Sequence, residues 1–169
     1  FPKMFLGPLV RNSDFIAQMQ REDISISKED VGQATRMIVL GTLKFCILSK
    51  IIGQFFVNPA FAGTLGDDGF VALMAVYAFT IQLYCDFSGY TDLATGISLL
   101  VGYRLPLNFN LPYHSATITE FWRRWHISLS SWLRDYLYIP LGGNRRGTFR
   151  TYLNLLLTMI LGGLWHGVG

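Results

Sequence analysis

The sequence predicts an all-α fold, a polytopic helical bundle of the kind built in membranes, with several transmembrane helices and others that are re-entrant or interfacial. Three observations carry this. Charged residues make up 15% of the chain, where a soluble domain has about 25%. Aromatic residues are as frequent, at 15%. The mean hydropathy of +0.34 averages long apolar runs with short, strongly charged connectors, the mixture expected of membrane spans and their loops.

The 169 residues suffice for one domain with a real core. They read as the central part of one transmembrane domain, residues 1–169. The chain begins at Phe1 without an initiator Met and runs out in the apolar "LWHGVG", so a longer protein is expected. The net charge is +3, and no Lys/Arg run is long enough for nucleic acid. The basic residues stand beside apolar segments, which favours membrane lipids as partners. Cys46 and Cys85 both lie in apolar runs, so two buried free thiols are expected rather than a disulfide or metal site.

In chain order, residues 1–30 form a polar connector in which "SISKED", Ser25 to Asp30, has the composition of a helix start. An apolar stretch from about Gly32 to Phe56 follows, interrupted by Arg36, Lys44 and Lys50. On a regular helix Lys44 lies about 80° from Arg36 and Lys50 about 40° to the other side, so the three fit a ~120° arc. That arc is either the polar face of an interfacial or bundle helix or one wall of a polar tunnel. "NPAFAGTLGDDG", Asn58 to Gly69, reads as a loop. Between Asp68 and Arg104 the only charges are Asp86 and Asp92. One helix over that span would be about 50 Å long against a ~30 Å hydrocarbon core, which predicts a break near Ser88–Gly89.

"RLPLNFNLPYHS", Arg104 to Ser115, reads as an ordered loop. "TITEFWRRWHISLSSWLRDYLYIP", Thr117 to Pro140, opens with a capping-box pattern at Thr117 and Glu120. Trp125, Leu129, Trp132 and Tyr136 then make one stripe of a helix lying in, or dipping into, the membrane. "LGGNRRGTFR" is a basic turn, cytoplasmic by the positive-inside rule, and "TYLNLLLTMILGGLWHG" resumes as a membrane helix.

Two histidines hold the chemistry. His166 ends an apolar run beside Trp165 and among Gly162, Gly163 and Gly167. It is either an interfacial packing group or an interior one facing a cavity, where burial favours the uncharged imidazole that a general base needs. His126 shares a predicted helix face with Trp122, Ser130 and Arg134. It is either an interfacial His among snorkelling arginines or the second histidine of one polar pocket. In "CDFSGYTD", Asp86 and Tyr90 stand four apart. The carboxylates there either break and cap the helix or pair with arginines of other segments along a tunnel wall. His114 reads as structural. There is no GxGxxG or Walker loop, no HExxH or paired CxxC, and no Cys-His cluster with metal spacing. "DFSGY" is not a GxSxG elbow.

Taken together, "FPKMFLGPLVR", "DFSGYTDLATG", "LPLNFNLPY", "ITEFWRRWHISLSSWLRDYLYIPLGGNR" and "LGGLWHG" closely resemble the membrane-bound O-acyltransferase (MBOAT) family. The likeness is greatest to its bacterial branch that acetylates exopolysaccharides such as alginate. It implies a multispan enzyme of the bacterial cytoplasmic (inner) membrane with a tunnel through the bilayer. It maps the family's membrane histidine onto His166 and this branch's second histidine onto His126. No permanent cofactor or metal is implied. The donor is acetyl-CoA or another acyl thioester, and the partners are a periplasmic or membrane-anchored SGNH-type acetyltransferase and the polysaccharide synthesis and export machinery. In that scheme Ser130 or a backbone N–H helps at the oxyanion and Arg123, Arg124, Arg145 and Arg146 hold donor phosphates. Arg134, Asp86, Tyr90 and Trp165 are further candidate binding residues. The alternatives are the branch that transfers D-alanine to teichoic acid and a non-catalytic transporter or channel.

Overall fold

The computed structural model describes residues 10–21, 25–66 and 68–167, apart from the side chains of Asn12, Ser13, Trp165 and His166. All regular structure among them is helical. The chain divides into two compact units, Phe1–Leu105 and Pro106–Gly169, and each is described by itself.

The first unit opens with a short helix, α1 (Asn12–Met19), inside the stretch that the sequence presents as a connector. The Gln18 amide donates to the Arg104 carbonyl (3.0 Å) and accepts from the Arg104 N–H (2.7 Å), while Phe15 stacks on Tyr103. Next comes α2, a continuous helix over Lys28–Phe61. It begins where the composition of Ser25 to Asp30 places a start: Ser27 Oγ accepts from the Asp30 N–H, and the Asp30 carboxylate accepts from the Ser27 N–H and hydroxyl. Arg104 Nη2 also donates to Asp30 (2.6 Å), so one buried carboxylate caps α2 and anchors the chain beyond α3 (Gly69–Leu100).

Two π-helical segments, Leu43–Leu48 and Gly53–Val57, lie within α2. The helix continues through the first four residues of the predicted loop, Asn58–Phe61. Pro59 is accommodated directly after the second π segment, where the bonding ladder already departs from i→i−4. The turn itself starts at Ala62, and Asp68 caps α3 by accepting from the Phe70 N–H (3.1 Å).

The predicted break near Ser88–Gly89 is absent. α3 is a single helix of 32 residues, about 48 Å at 1.5 Å per residue. Both long helices are apolar and long enough to cross a membrane. In an apolar medium a break would strand several N–H and C=O groups, each costing several kcal/mol, whereas an interior Gly costs only about 1 kcal/mol relative to Ala. Gly89 instead serves packing. A methyl group there would stand 2.6 Å from the Phe45 backbone nitrogen, one on Gly41 2.8 Å from the Gly89 carbonyl oxygen, and one on Gly96 2.9 Å from the Ala34 carbonyl oxygen. Ala34 and Gly41 on α2, and Gly89 and Gly96 on α3, are each seven residues apart and so share a face. They form a seam of small residues along which the antiparallel backbones touch.

Two lysines of α2 pair with the two carboxylates of α3 across this seam. Lys44 Nζ donates to Asp92 Oδ2 (2.6 Å) and Ser88 Oγ (3.1 Å) and lies 5.8 Å from the Tyr84 ring centre. Lys50 reaches Asp86 (3.4 Å), which also accepts from the Ser49 hydroxyl (2.9 Å). The carboxylates therefore pair with lysines of α2, not with arginines of other segments, and the helix-breaking role of Asp86, Ser88 and Gly89 is corrected. Arg36, like Lys50, is exposed, whereas Lys44 is half-buried. Cys85 is buried as expected but Cys46 is exposed, and both are free.

In the second unit a loop with a 3₁₀ turn at Pro112–His114 leads to α4 (Ile118–Arg124) and α5 (Ile127–Leu133), which continues as a π segment, Arg134–Tyr138. A glycine turn with Gly142 and Gly143 at φ 113° and 53° precedes α6 (Thr148–His166), the helix expected after the basic turn. Asn154, fully buried, donates to the Gly143 carbonyl (3.0 Å), Thr158 donates to the Asn154 carbonyl (2.7 Å), and Gly162 faces Leu133. These three residues, spaced four apart, dock α6 on the turn and on α5.

Two outcomes are expected of the helix pair. Gly89→Leu should abolish the α2–α3 packing, while Gly32→Ala, which meets nothing within 4 Å, should raise stability by up to about 1 kcal/mol; membrane protein levels and melting temperatures in detergent check both. Asp92→Ala should destabilise by about 2–4 kcal/mol, a fraction of which returns in the Lys44→Met/Asp92→Leu double variant. Equal melting temperatures for the single and double variants would contradict this.

Candidate active site at a helix break

The segment Thr117 to Pro140 does not form the single helix that its apolar periodicity predicts. Thr117 caps α4 as expected, accepting from the Glu120 N–H (3.1 Å). The Glu120 carboxylate, however, accepts from the Ala116 N–H (3.0 Å) and from Arg124 Nη2 (2.7 Å). These two donors, the Ala116 N–H first, hold Glu120 below the usual carboxylate range. α4 then ends at Arg124. Trp125 is extended (φ −101°, ψ 128°), His126 is left-handed (φ 42°, ψ 54°), and α5 starts at Ile127.

A non-glycine residue at positive φ costs about 1–2 kcal/mol, although His tolerates it better than most, and the surroundings must enforce it. Here the loop "NFN", Asn108 to Asn110, does so. The Asn108 carbonyl accepts from the Ile127 N–H (2.9 Å), its Oδ1 accepts from the Ser128 hydroxyl (2.8 Å) and N–H (3.3 Å), and the Asn110 N–H donates to the Arg124 carbonyl (3.0 Å). Arg124 Nη1 adds a bond to the Asn110 carbonyl (3.3 Å). Residues 108–110 thus bridge both sides of the break and supply the cap that His126, as the N-cap residue, does not.

Aromatic rings close the same region. Trp125 meets Phe109 edge-on at 5.1 Å, stacks on Phe121 at 5.5 Å and approaches Tyr113 at 6.2 Å. Trp125 is therefore drawn out of the predicted stripe, whose remaining aromatics, Trp132 and Tyr136, pair at 5.3 Å.

The candidate residues sort accordingly. His126 is buried, at 8% exposure. Trp122, Ser130 and Arg134 do not share a helix face with it, because the helix is interrupted at that residue. Ser130 hooks across the break: its hydroxyl donates to the Trp125 carbonyl (3.1 Å) and its N–H to the His126 carbonyl (2.9 Å). Both of its donors are thereby engaged, which argues against an oxyanion role. Arg124 is tied to Glu120 and Asn110, and exposed Arg134 to Asp135 (2.7 Å). Arg123, Arg145 and Arg146 are exposed. Asp86 and Tyr90 belong to the first unit, Asp86 with Lys50 and Ser49, and Tyr90 against the Phe45 ring at 6.0 Å.

His166 is the last residue of α6; its side chain and that of Trp165 lie outside the described residues. Two residues escape a sequence reading centred on ionisable groups, Asn108 and Asn154. Each is almost wholly buried, at 3% and 0% exposure. The available signal was an amide in an apolar run, which is costly unless it is bonded.

The family model for the membrane-bound O-acyltransferases matches residues 1–169. The chain is 49% identical to the probable alginate O-acetylase AlgI of Pseudomonas putida, over 99% of this chain and 34% of that protein. It is 41% identical to the peptidoglycan O-acetyltransferase of Helicobacter pylori, over 100% of this chain and 32% of that protein. It is 32% identical to the teichoic acid D-alanyltransferase of Streptococcus thermophilus, over 99% of this chain and 43% of that protein. The chain thus spans about a third of the length of the first two relatives.

The left-handed backbone sets a stability order at residue 126. His126→Asn, which tolerates this region, should melt within a few degrees of the parent. His126→Val should lose a further ~1–2 kcal/mol from backbone strain. Thermal unfolding in detergent reads the order, and a valine variant as stable as the asparagine one would refute it.

Proposed function

The chain belongs to the membrane-bound O-acyltransferase family, and on that premise we propose that the whole protein is an O-acetyltransferase of the bacterial cytoplasmic (inner) membrane. It takes an acetyl group from a cytoplasmic thioester, acetyl-CoA, and passes it outward for O-acetylation of an exopolysaccharide of the alginate kind. The 49% identity to a probable alginate O-acetylase supports the substrate class. The observation that carries the site is His126: a buried imidazole at a strained helix break, braced by a loop and an aromatic cluster. Such rigid placement is what a catalytic group requires.

In the proposed step an acceptor hydroxyl attacks the thioester carbonyl. The new O–C bond forms, the C–S bond breaks, and the hydroxyl proton passes to neutral His166 and from it to the leaving thiolate. His126 orients or polarises a reactant. Ser130 spends its donors within the break, so the oxyanion falls to other N–H groups. Among the arginines assigned to donor phosphates, Arg123, Arg145 and Arg146 keep exposed guanidinium groups, whereas Arg124 is engaged. An SGNH-type acetyltransferase, periplasmic or membrane-anchored, receives the group and places it on the polysaccharide during synthesis and export. D-alanyl transfer to teichoic acid is the second reading, favoured less because identity to the D-alanyltransferase is 32%. A transporter gating through its histidines is the third.

In the full-length protein, His166→Ala and His126→Ala should each lower polysaccharide O-acetylation by about 10²-fold or more, the range of a lost acid–base group, with the protein still in the membrane. Base-released acetate per sugar, beside an immunoblot of the membrane fraction, measures this. Normal acetylation by both variants would sink the catalytic assignment.

A further inference from the structure

His126 does not hold itself. Its left-handed conformation is imposed across the break by a loop that precedes it by eighteen residues, and one residue, through its carbonyl and its side chain, makes the decisive contacts. Asn108 is 3% exposed. Its carbonyl takes the first free N–H of α5, from Ile127, and its Oδ1 takes the second, from Ser128, together with the Ser128 hydroxyl. The first N–H groups of a helix have no partner within it, and here a residue from outside the helix satisfies two of them. The Ser128 hydroxyl makes the grip two-pronged. The Asn110 N–H on the Arg124 carbonyl fixes the end of α4, so the two residues between, Trp125 and His126, are pinned from both sides.

We infer that Asn108 is a positioning residue for His126: by capping α5 through Oδ1 and its carbonyl, it sets the angle at which the imidazole leaves the break. This rests on the reading of His126 as a site residue. The hold is made by acceptors, since Asn108 Nδ2 is buried and meets no hydrogen-bond partner among the described residues. The side-chain requirement is therefore an oxygen in the place of Oδ1, and an Asp meets it, being as good a helix cap as Asn. An Ala supplies none.

The test compares Asn108→Ala, Asn108→Asp, His126→Ala and the Asn108→Ala/His126→Ala double variant in the full-length protein. The readout is acetate released by mild base from extracellular polysaccharide, normalised to protein in the membrane. Misplacement of a catalytic group by about 1 Å costs up to 10²-fold. Asn108→Ala should lose about 10- to 100-fold, Asn108→Asp should stay within about threefold of the parent, and the double variant should match His126→Ala alone, because a positioning residue has nothing left to position. Three results would overturn the inference while leaving the His126 reading intact: a fully active Asn108→Ala, an Asn108→Asp as damaged as Asn108→Ala, or losses that multiply in the double variant. A fully active His126→Ala would instead remove the reading on which the inference rests.

Discussion

The constraint on which everything else depends is that the free backbone N–H groups of an interrupted helix must find acceptors in apolar surroundings. The bonds from Asn108 to Ile127 and Ser128 are its sharpest instance. A helix interrupted in such a setting exposes N–H and C=O groups whose desolvation costs several kcal/mol each. The interruption at Trp125–His126 survives because one loop satisfies both lips of the break, and four aromatic rings pack together beside it. Without that loop the cheaper conformation of residues 118–138 is one unbroken helix, with His126 on its side like any other residue.

In the first unit it is charged side chains that are paired. Two lysines and two carboxylates face each other across α2 and α3, and hydroxyls of Ser49 and Ser88 fill remaining sites. Of these pairs the less exposed, Lys44–Asp92, gains little over apolar residues, because desolvation offsets most of the attraction, but a lone member is expensive. Their presence fixes which faces of α2 and α3 meet. The small residues at Ala34, Gly41, Gly89 and Gly96 then let those faces close to backbone contact.

Much of the architecture was legible in the sequence. The all-helical class, the start of α2 at Ser27, the cap at Thr117 and the helix over Thr148–His166 follow from composition, capping chemistry and hydropathy. The failures share one cause. Ser88–Gly89 and Trp125–His126 are opposite answers to a question that local pattern cannot decide: whether a helix breaks depends on what is packed against it. Gly89 looked like a breaker, yet α2 lies against it. The 117–140 periodicity looked continuous, yet a loop eighteen residues upstream pays for the gap. The candidate histidines were recognisable by type, whereas Asn108 acts through bonds made far along the chain and carries no motif of its own.

The small-residue seam has a mechanical consequence. Where two backbones approach this closely at two levels, Gly41 with Gly89 and Ala34 with Gly96, neither helix can rotate or slide past the other without collision, and the ion pairs resist separation. α2 and α3 therefore move as one stiff beam, with no room to part along their shared face. Substitutions that enlarge any of these four small residues should therefore loosen the pair along its whole length and not only at the substituted position.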